Sequence, residues 1–153
     1  MSADFMKEAI NEARNGINKG DGGPFGCIIV KGGEIVGRGH NMVVSNNDPT
    51  AHGEISAIRD ACKNLNTFSL EGCELYTTAQ PCPMCLAAIL WARIDRVYYG
   101  CNVEDTANIG FDDSKFYEAL KGDNKLCSLY ELDRDECLKL FNEYAKLDNK
   151  IHY

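Results

Sequence analysis

Cysteine and histidine side chains at three positions of this sequence could together hold a metal ion. Cys82 and Cys85 stand three residues apart with Pro83 between them, so a helix that begins here carries both sulfurs on one face near its N-terminus. Thiolates are favoured there because unpaired amide groups and the positive end of the helix dipole stabilise them. With the imidazole of His52, two thiolates form a ligand set that suits zinc and leaves the fourth tetrahedral position to water. We therefore predict an open, catalytic zinc site held by His52, Cys82 and Cys85.

Glu54, two residues after His52, indicates which reaction this site would serve. A His-x-Glu segment followed by Pro-Cys-x-x-Cys is the signature of zinc-dependent deaminases, in which the glutamate carries protons and is not a ligand. Cys-x-x-Cys alone also fits a redox pair, half of a four-cysteine structural zinc site, or two core cysteines. Residues two apart point to nearly opposite sides of a helix. His52 and Glu54 can therefore share the site only if they lie in the first turn and His52 reaches across the helix end.

The other six cysteines form no disulfide framework. We interpret them as small apolar core residues that a reducing compartment keeps as thiols. The alternative is that two of them complete a four-cysteine structural site with Cys82 and Cys85. These six are Cys27, Cys62, Cys73, Cys101, Cys127 and Cys137.

Length and charge favour one acidic domain that acts on a small molecule. The 153 residues suffice for a single domain with a substantial core, and 16 basic against 23 acidic residues give a net charge of -7. Nucleic-acid binding depends on Lys and Arg neutralising phosphates, so we expect no nucleic-acid partner. The polar N-terminus lacks the apolar run of a signal peptide, and the longest apolar run, residues 86–92, is too short to cross a bilayer. We expect a cytoplasmic protein without membrane association.

The first third of the chain predicts a helix and then a hairpin. Apolar residues recur at helical spacing from Phe5 to Ile17, up to a stop at Gly20. Residues 25–30 and 34–41 are predicted strands, joined by a glycine-rich turn suited to positive φ.

A second helix is predicted to open with Asp48 as N-cap and Pro49 in its first position. His52 then falls in the first turn, as the zinc site requires. The predicted buried face consists of Ile55, Ile58, Cys62 and Leu65.

Alternation of strands and helices follows. We predict a strand at residues 73–78, a helix from Cys82 to about Ile94 and a strand at residues 96–100. This order suggests parallel pairing in a layered α/β sheet. Both metal-binding segments then begin helices at strand ends, where open α/β sheets place their sites.

The last third is predicted to add a helix, a strand and a final helix. The first helix covers residues 114–121 and the strand residues 126–131. Asp133 is the predicted N-cap of the final helix, with Glu136 at capping-box spacing. The apolar stripe of that helix is interpreted as core or as a subunit contact, and it consists of Leu140, Phe141, Tyr144 and Leu147.

Over nearly its whole length the chain resembles the cytidine-deaminase superfamily, and within it the small bacterial guanine deaminases. The zinc signature belongs to the whole superfamily, whereas residues 110–114 and the closing Tyr153 point towards guanine. The segments that carry the resemblance are residues 22–26, Asn41, residues 47–54, residues 81–85, residues 91–93, residues 110–114 and Tyr153.

The resemblance implies a three-layer α/β/α sandwich around a five-stranded mixed sheet. It also implies a single zinc-dependent deaminase domain over residues 1–153. Two such chains would form a homodimer in which the C-terminal segment, about residues 126–153, is exchanged and closes the partner's active site. The implied reaction is hydrolysis of guanine to xanthine and ammonia, with zinc as cofactor and Glu54 as the proton carrier.

The resemblance also suggests substrate-binding residues. Asn41 resembles the family's substrate-binding asparagine, although its type also fits a turn. Asp113 could accept hydrogen bonds from ring N–H groups, while Asp112 and Asp113 equally fit helix caps. Phe25 and Trp91 are candidates for stacking on the base, with core packing as the alternative, and Tyr153 could hydrogen-bond a purine edge.

Two positions depart from the family pattern, and two other functions stay open. Gln80 stands where such enzymes often have Glu, and Gly53 replaces the usual Ala or Val between His52 and Glu54. Neither departure affects a predicted ligand, so they bear on the substrate more than on the reaction. The alternatives are deamination of another base or nucleoside (cytosine, guanosine, or adenosine in tRNA) and a non-catalytic structural zinc module.

Overall fold

A computed structural model of the chain describes residues 2–153, with side chains from Asp4 onward. The chain divides into two compact units, one ending at Tyr117 and one comprising Glu118–Tyr153. Within the described residues, no helix has both the length and the apolar character needed to cross a membrane. The elements are α1 Ser2–Lys19, β1 Gly26–Lys31, β2 Glu34–His40, α2 Val43–Asn46, α3 Gly53–Leu65, β3 Cys73–Ala79, α4 Pro83–Trp91, β4 Arg96–Cys101, α5 Val103–Asn108, α6 Ser114–Leu120 and α7 Arg134–Ala145.

The four strands form one mixed sheet in the order β2-β1-β3-β4. β1 pairs antiparallel with both β2 and β3, and β3 pairs parallel with β4, as the alternation of elements predicted. Successive residues of β1 point to opposite faces. Cys27 and Ile29 pack in one apolar cluster with α3 and α4, whereas Ile28 and Val30 pack in another with α1. Helices therefore cover both faces of the sheet.

The predicted fifth strand is wrong, because residues 126–131 form no strand in the described chain. Asn124 instead binds the local backbone: its carbonyl oxygen accepts from the amides of Leu126 and Cys127, and its amide group donates to the carbonyl of Cys127. A side chain that satisfies backbone groups in this way competes with strand pairing. The β-forming residues of the segment have no strand beside them and stay exposed.

The start of α3 also differs from the prediction. The helix begins at Gly53 with His52 as its N-cap, and Asp48 and Pro49 precede it in a separate turn. The carboxylate of Asp48 accepts hydrogen bonds there from both the amide and the hydroxyl of Thr50. The acid that was expected to cap the helix therefore stabilises the turn before it.

The most deeply buried face of α3 consists of Ala57 and Ala61, and not of the larger residues predicted. Ile58, Cys62 and Leu65 are only partly buried at its side. The cause is close packing on β2, where a Cβ added at Gly37 would lie 2.7 Å from the Cβ of Ala61. Small residues on both elements allow this approach, which fixes the height of α3 above the sheet.

The second unit contains α7 and irregular chain. Asp133 precedes α7 with φ of 54° and makes no side-chain cap, so the predicted capping box is not formed. Glu136 instead pairs with Lys139 at 2.7 Å. The apolar stripe of α7 is exposed, so its role as core is not realised in the described chain, and its role as a subunit contact stays a prediction.

Candidate metal centre and active site

His52, Cys82 and Cys85 come together at the N-terminal ends of two helices. His52 Nδ1 lies 3.5 Å from Cys82 Sγ and 3.4 Å from Cys85 Sγ. All three ligand atoms lie within 4.8 Å of one another. Tetrahedral zinc with ordinary Zn–N and Zn–S bonds places N and S atoms roughly 3.5 Å apart. The spacing of the three atoms therefore fits the predicted metal.

The helix starts explain how the sequence builds this cluster. Cys82 is the extended N-cap of α4, Pro83 occupies the first position, and Cys85 follows within the first turn. His52 is likewise the extended N-cap of α3. Because the helix begins after His52, its ring is free of the helical rotation that would turn it away from Glu54. The geometric condition set by the sequence is met in this way.

The electrostatics of the two sulfurs suit a cation. A hydrogen bond from Cys85, supported by one from His52, lowers the pKa of Cys82 to about 4. The same hydrogen bond and burial raise the pKa of Cys85 above its ordinary value. The pair thus shares one proton between two buried sulfurs, and a divalent metal ion would displace it because ligation requires both thiolates.

Glu54 lies in the first turn of α3 and is only 6% exposed. Burial raises the pKa of its carboxyl group from 4.5 to about 7. An acid with a pKa close to neutrality can both take up and release a proton at physiological pH. Glu54 also lines the same cavity as His52 and Cys82, which is the place a proton carrier must occupy.

The cavity above the cluster has a volume of about 290 Å³. This is at the low end of the range for small-molecule sites. Three predicted substrate residues line it, namely Phe25, Asn41 and Asp113. The cavity is further lined by Gly23, Val43, Val44, Pro49, Ala79, Gln80, Thr106 and Phe111.

Asn41 presents one particular end of its carboxamide to this cavity. Its Oδ1 accepts a hydrogen bond from the amide of Val43 at 3.1 Å, and its backbone amide donates to the carbonyl of Phe25 at 2.9 Å. A Cβ added at Gly22 would lie 2.1 Å from Oδ1, so only glycine leaves room for this orientation. The NH₂ group of Asn41 is therefore the end available to a ligand.

The sequence left helix capping and substrate binding open for Asp112 and Asp113, and the two residues differ in their contacts. Asp112 accepts from the amide of Ser114 at 3.0 Å and supports the start of α6. Asp113 lines the cavity, and burial raises the pKa of its carboxyl group. Asp112 thus serves local structure, while the substrate role of Asp113, which lines the cavity, stays a prediction.

The aromatic candidates Phe25 and Trp91 differ in whether they line the cavity. Phe25 lines the cavity and packs edge-on against Phe111, with ring centroids 5.2 Å apart. Trp91 is 62% exposed at the end of α4, carries Arg93 over its ring, and is not part of the described cavity lining. Tyr153 belongs to the second unit and is 70% exposed, so its substrate role stays a prediction.

Sequence reasoning missed several residues of the site. Val43 and Val44 belong to α2, and Thr106 to α5, and neither short helix was predicted. The signal for α5 is present, since Asn102 and Asp105 form a capping box. Tyr117 was also missed. Its hydroxyl donates to the carbonyl of Pro81 and so anchors the segment before Cys82.

Comparisons with known proteins agree with this geometry. Residues 1–101 match the family described as the cytidine and deoxycytidylate deaminase zinc-binding region. A guanine deaminase from Bacillus subtilis (strain 168) is 44% identical over 151 residues, which is 97% of each chain. The crystal structure of guanine deaminase from Bacillus subtilis superposes with a TM-score of 0.94, covering 99% of this chain and 98% of the other.

Deaminases that act on tRNA are similar over a shorter part of the chain. A tRNA-specific adenosine deaminase from Aquifex aeolicus (strain VF5) is 50% identical over 95 residues, or 62% of each chain. A solved tRNA:A34 deaminase is 44% identical and superposes with a TM-score of 0.63, covering 66% of this chain and 77% of that one.

Proposed function

Since the chain belongs to the cytidine and deoxycytidylate deaminase zinc-binding family, we propose that it hydrolyses free guanine to xanthine and ammonia. The observation that carries the choice of guanine is the superposition on a guanine deaminase over 99% of the chain, with a TM-score of 0.94. The superposition on the tRNA deaminase structure covers 66% of the chain, with a TM-score of 0.63. The likeness to guanine deaminase thus includes the C-terminal third, and not only the zinc-binding part.

The cavity supports a small flat substrate. A volume of about 290 Å³, walled by Phe25, Phe111 and two valines, suits a free base better than a large ligand. A net charge of -7 disfavours a polyanion. Both features agree with a purine base as substrate and with no nucleic-acid partner.

His52, Cys82 and Cys85 would hold one zinc ion. When bound, zinc supplies the Lewis acidity that makes water a nucleophile near neutral pH. The rival interpretation, a structural zinc module, needs a fourth protein ligand, and the metal-binding cluster found among the described residues contains three. Three ligands favour a catalytic site.

Glu54 would carry the protons of the reaction. It takes one proton from the attacking water and passes it to the ring nitrogen beside C2, and it then moves the remaining proton from the new C2 hydroxyl to the departing amine. The C2–N bond breaks, a C2–O bond forms, and the products are xanthine and ammonia. The raised pKa of Glu54, about 7, suits both directions of transfer.

Asn41 and Asp113 would orient the base because one is a hydrogen-bond donor and the other an acceptor. The NH₂ group of Asn41 is a donor and requires an acceptor on the substrate. The carboxylate of Asp113 is an acceptor and requires a ring N–H group. Guanine offers acceptors and N–H groups on its edges, so the two side chains together restrict it to one orientation, while Phe25 packs beside it.

We further propose a homodimer in which the C-terminal segment, about residues 126–153, closes the partner's site. The support is the exposed apolar surface of the second unit, which includes Leu140, Phe141 and Tyr144. Subunit contact would bury such a surface. Tyr153 would then reach the base from the other subunit, and the cytoplasm stays the expected location.

A panel of amines tests the proposed function directly. Purified, zinc-loaded protein is incubated separately with guanine, guanosine, cytosine and an adenosine-containing tRNA, and ammonia release is measured. We expect turnover of guanine above all others, and Glu54→Gln serves as the inactive control. Preferential inosine formation in tRNA would identify the tRNA alternative, and no turnover with zinc bound would favour the structural module.

A further inference from the structure

We propose that His40 is a positioning residue for substrate binding, which holds Asn41 and the adjoining cavity wall from the opposite face of the sheet. The inference rests on the proposed function, because the contact that His40 protects is the one assigned to Asn41. His40 does not line the cavity in the described chain and touches none of the proposed metal ligands.

His40 ends β2 and is held between two carboxylates. Its Nδ1 lies 3.1 Å from Glu12 Oε2 of α1, and its Nε2 lies 2.7 Å from Asp21 Oδ2 in the following loop. The three side chains are 12%, 18% and 14% exposed. Both ring nitrogens of His40 thus lie within hydrogen-bond distance of a carboxylate. The two contacts form a clamp that joins α1, the loop and β2.

The surroundings of the clamp keep the ring in one place. A Cβ added at Gly16 would lie 2.5 Å from Cδ2 of His40, so the backbone of α1 packs directly on the imidazole. The hydrogen bond with His40 also lowers the pKa of Asp21, and the nearby charge of Lys19 lowers it further. The ring has little freedom to turn, and both carboxylates stay in reach.

Asp21 connects the clamp to the cavity wall. Its backbone carbonyl accepts from the amides of Val44 and Ser45, at 3.0 and 3.1 Å. Val44 lines the cavity, and so does Gly23, two residues beyond Asp21. One residue held by His40 thus fixes two parts of the same wall.

Asn41 depends on the clamp because it is bonded directly to His40 in the chain. The ring of His40 contacts Glu12 of α1, while Asn41 lines the cavity. Gly22, next to Asp21, leaves the space that Asn41 Oδ1 occupies. A shift of either His40 or Asp21 would therefore move the donor that meets the substrate. His52 and Glu54 lie on another segment, so proton transfer should be affected much less than binding.

The experiment compares KM and kcat for guanine in His40→Gln, Asp21→Asn and the double variant, each with zinc content and melting temperature recorded. His40→Gln keeps a polar side chain but has its donors on one nitrogen, so it cannot reproduce contacts made from two ring nitrogens. We expect KM to rise about tenfold or more in each single variant, since a lost hydrogen bond to a carboxylate is worth about that factor. kcat should stay within about threefold, because a loss of binding alone leaves the chemical step intact.

Arg38→Gln is the matched control. Arg38 pairs with Glu8 at 2.9 Å, joining the same strand to the same helix one turn away from the clamp. This pair is exposed and does not adjoin Asn41, so KM should stay at the wild-type value. The double clamp variant should raise KM no more than the larger single effect, because both substitutions break one unit.

Several outcomes would overturn the inference. They are an unchanged KM in the clamp variants, an equal rise in Arg38→Gln, additive effects in the double variant, or a fall in kcat at constant KM. If His40→Gln does not fold, Asp21→Asn decides alone. Wild-type protein inactive on guanine would refute the proposed function instead, and the same comparison would then use whichever amine of the panel is hydrolysed.

Discussion

His52 and Glu54 are two residues apart, yet both face the same cavity, because α3 begins between them. His52 is extended and directs its ring towards Cys82 and Cys85, while Glu54 is already helical and buried. The proposed metal ligand and the proposed proton carrier are thus placed side by side by one helix start.

Zinc content is the first prediction. We expect one zinc ion per chain, and Cys85→Ser should lose most of it, because a hydroxyl is a far poorer zinc ligand than a thiolate. Elemental analysis of the purified protein measures this. Cys137→Ser, at an exposed cysteine of α7, is the control and should retain full occupancy. Equal zinc in both variants would exclude Cys85 as a ligand.

Glu54→Gln should leave zinc bound and the fold intact while it lowers kcat by about 100-fold or more, the usual share of a general acid-base group. The amide keeps the shape of the carboxyl group but cannot carry a proton. Steady-state ammonia release measures the effect, with the exposed Glu34→Gln as control. Retention of more than about a tenth of the activity would contradict the role of Glu54.

In zinc-free protein, the contribution of Glu54 to stability should fall as pH rises from about 4.5 to about 7, the ordinary and folded pKa values of its carboxyl group. In this window the folded state keeps a proton that the unfolded state has released, so each pH unit costs stability up to the folded pKa. The loss amounts to roughly 3 kcal/mol. Urea unfolding at pH 5 and pH 8 measures it. His52, whose pKa is also raised, contributes a change of the same sign, and Cys82, whose pKa is lowered to about 4, contributes a change of the opposite sign. The test is therefore the difference between wild type and Glu54→Gln, because only the wild type should show the loss that is due to Glu54.

Gly22→Ala should impair substrate binding through Asn41. The added Cβ would lie 2.1 Å from Asn41 Oδ1 and displace the carboxamide. We expect a rise in KM similar to that of Asn41→Ala, and the double variant should be no worse than the more severe single variant. Kinetics on all three variants measure this. Clearly additive effects would show that Gly22 acts elsewhere.

Deletion of residues 149–153 should preserve zinc content and most of the thermal stability while it sharply lowers guanine turnover. The tail ends on the exposed Tyr153, and a short chain has few other segments that could cover a base. Full activity of the truncated protein would exclude a role for the tail.

A mixing experiment separates a tail that closes its own site from an exchanged one. Inactive Glu54→Gln chains are refolded together with tail-deleted chains. If the segment is exchanged, one of the two hybrid sites combines an intact Glu54 with a donated tail, and activity returns. No recovery would mean that each chain closes its own site.

The amino-acid sequence by itself was enough to propose a ligand set and a proton carrier and to predict most of the elements. The clustering of His52, Cys82 and Cys85 could be predicted because His52 and Glu54, like Cys82 and Cys85, lie within one short segment, where residue spacing and a proline fix the local geometry. The hairpin around Gly32 and Gly33 was predictable for the same reason, since both glycines adopt positive φ. The family resemblance stated from these segments is confirmed.

Tertiary structure decided whatever depends on contacts between distant segments. The amide orientation of Asn41 follows from Val43 and Gly22. Asp113 lines the cavity while Asp112 binds the amide of Ser114, and Trp91 is exposed and not part of the described cavity lining. The predicted strand at residues 126–131 failed because strand propensity needs a partner strand to be realised. Local spacing is a property of the covalent chain, whereas burial, pKa and hydrogen-bond partners arise only when remote segments are packed together.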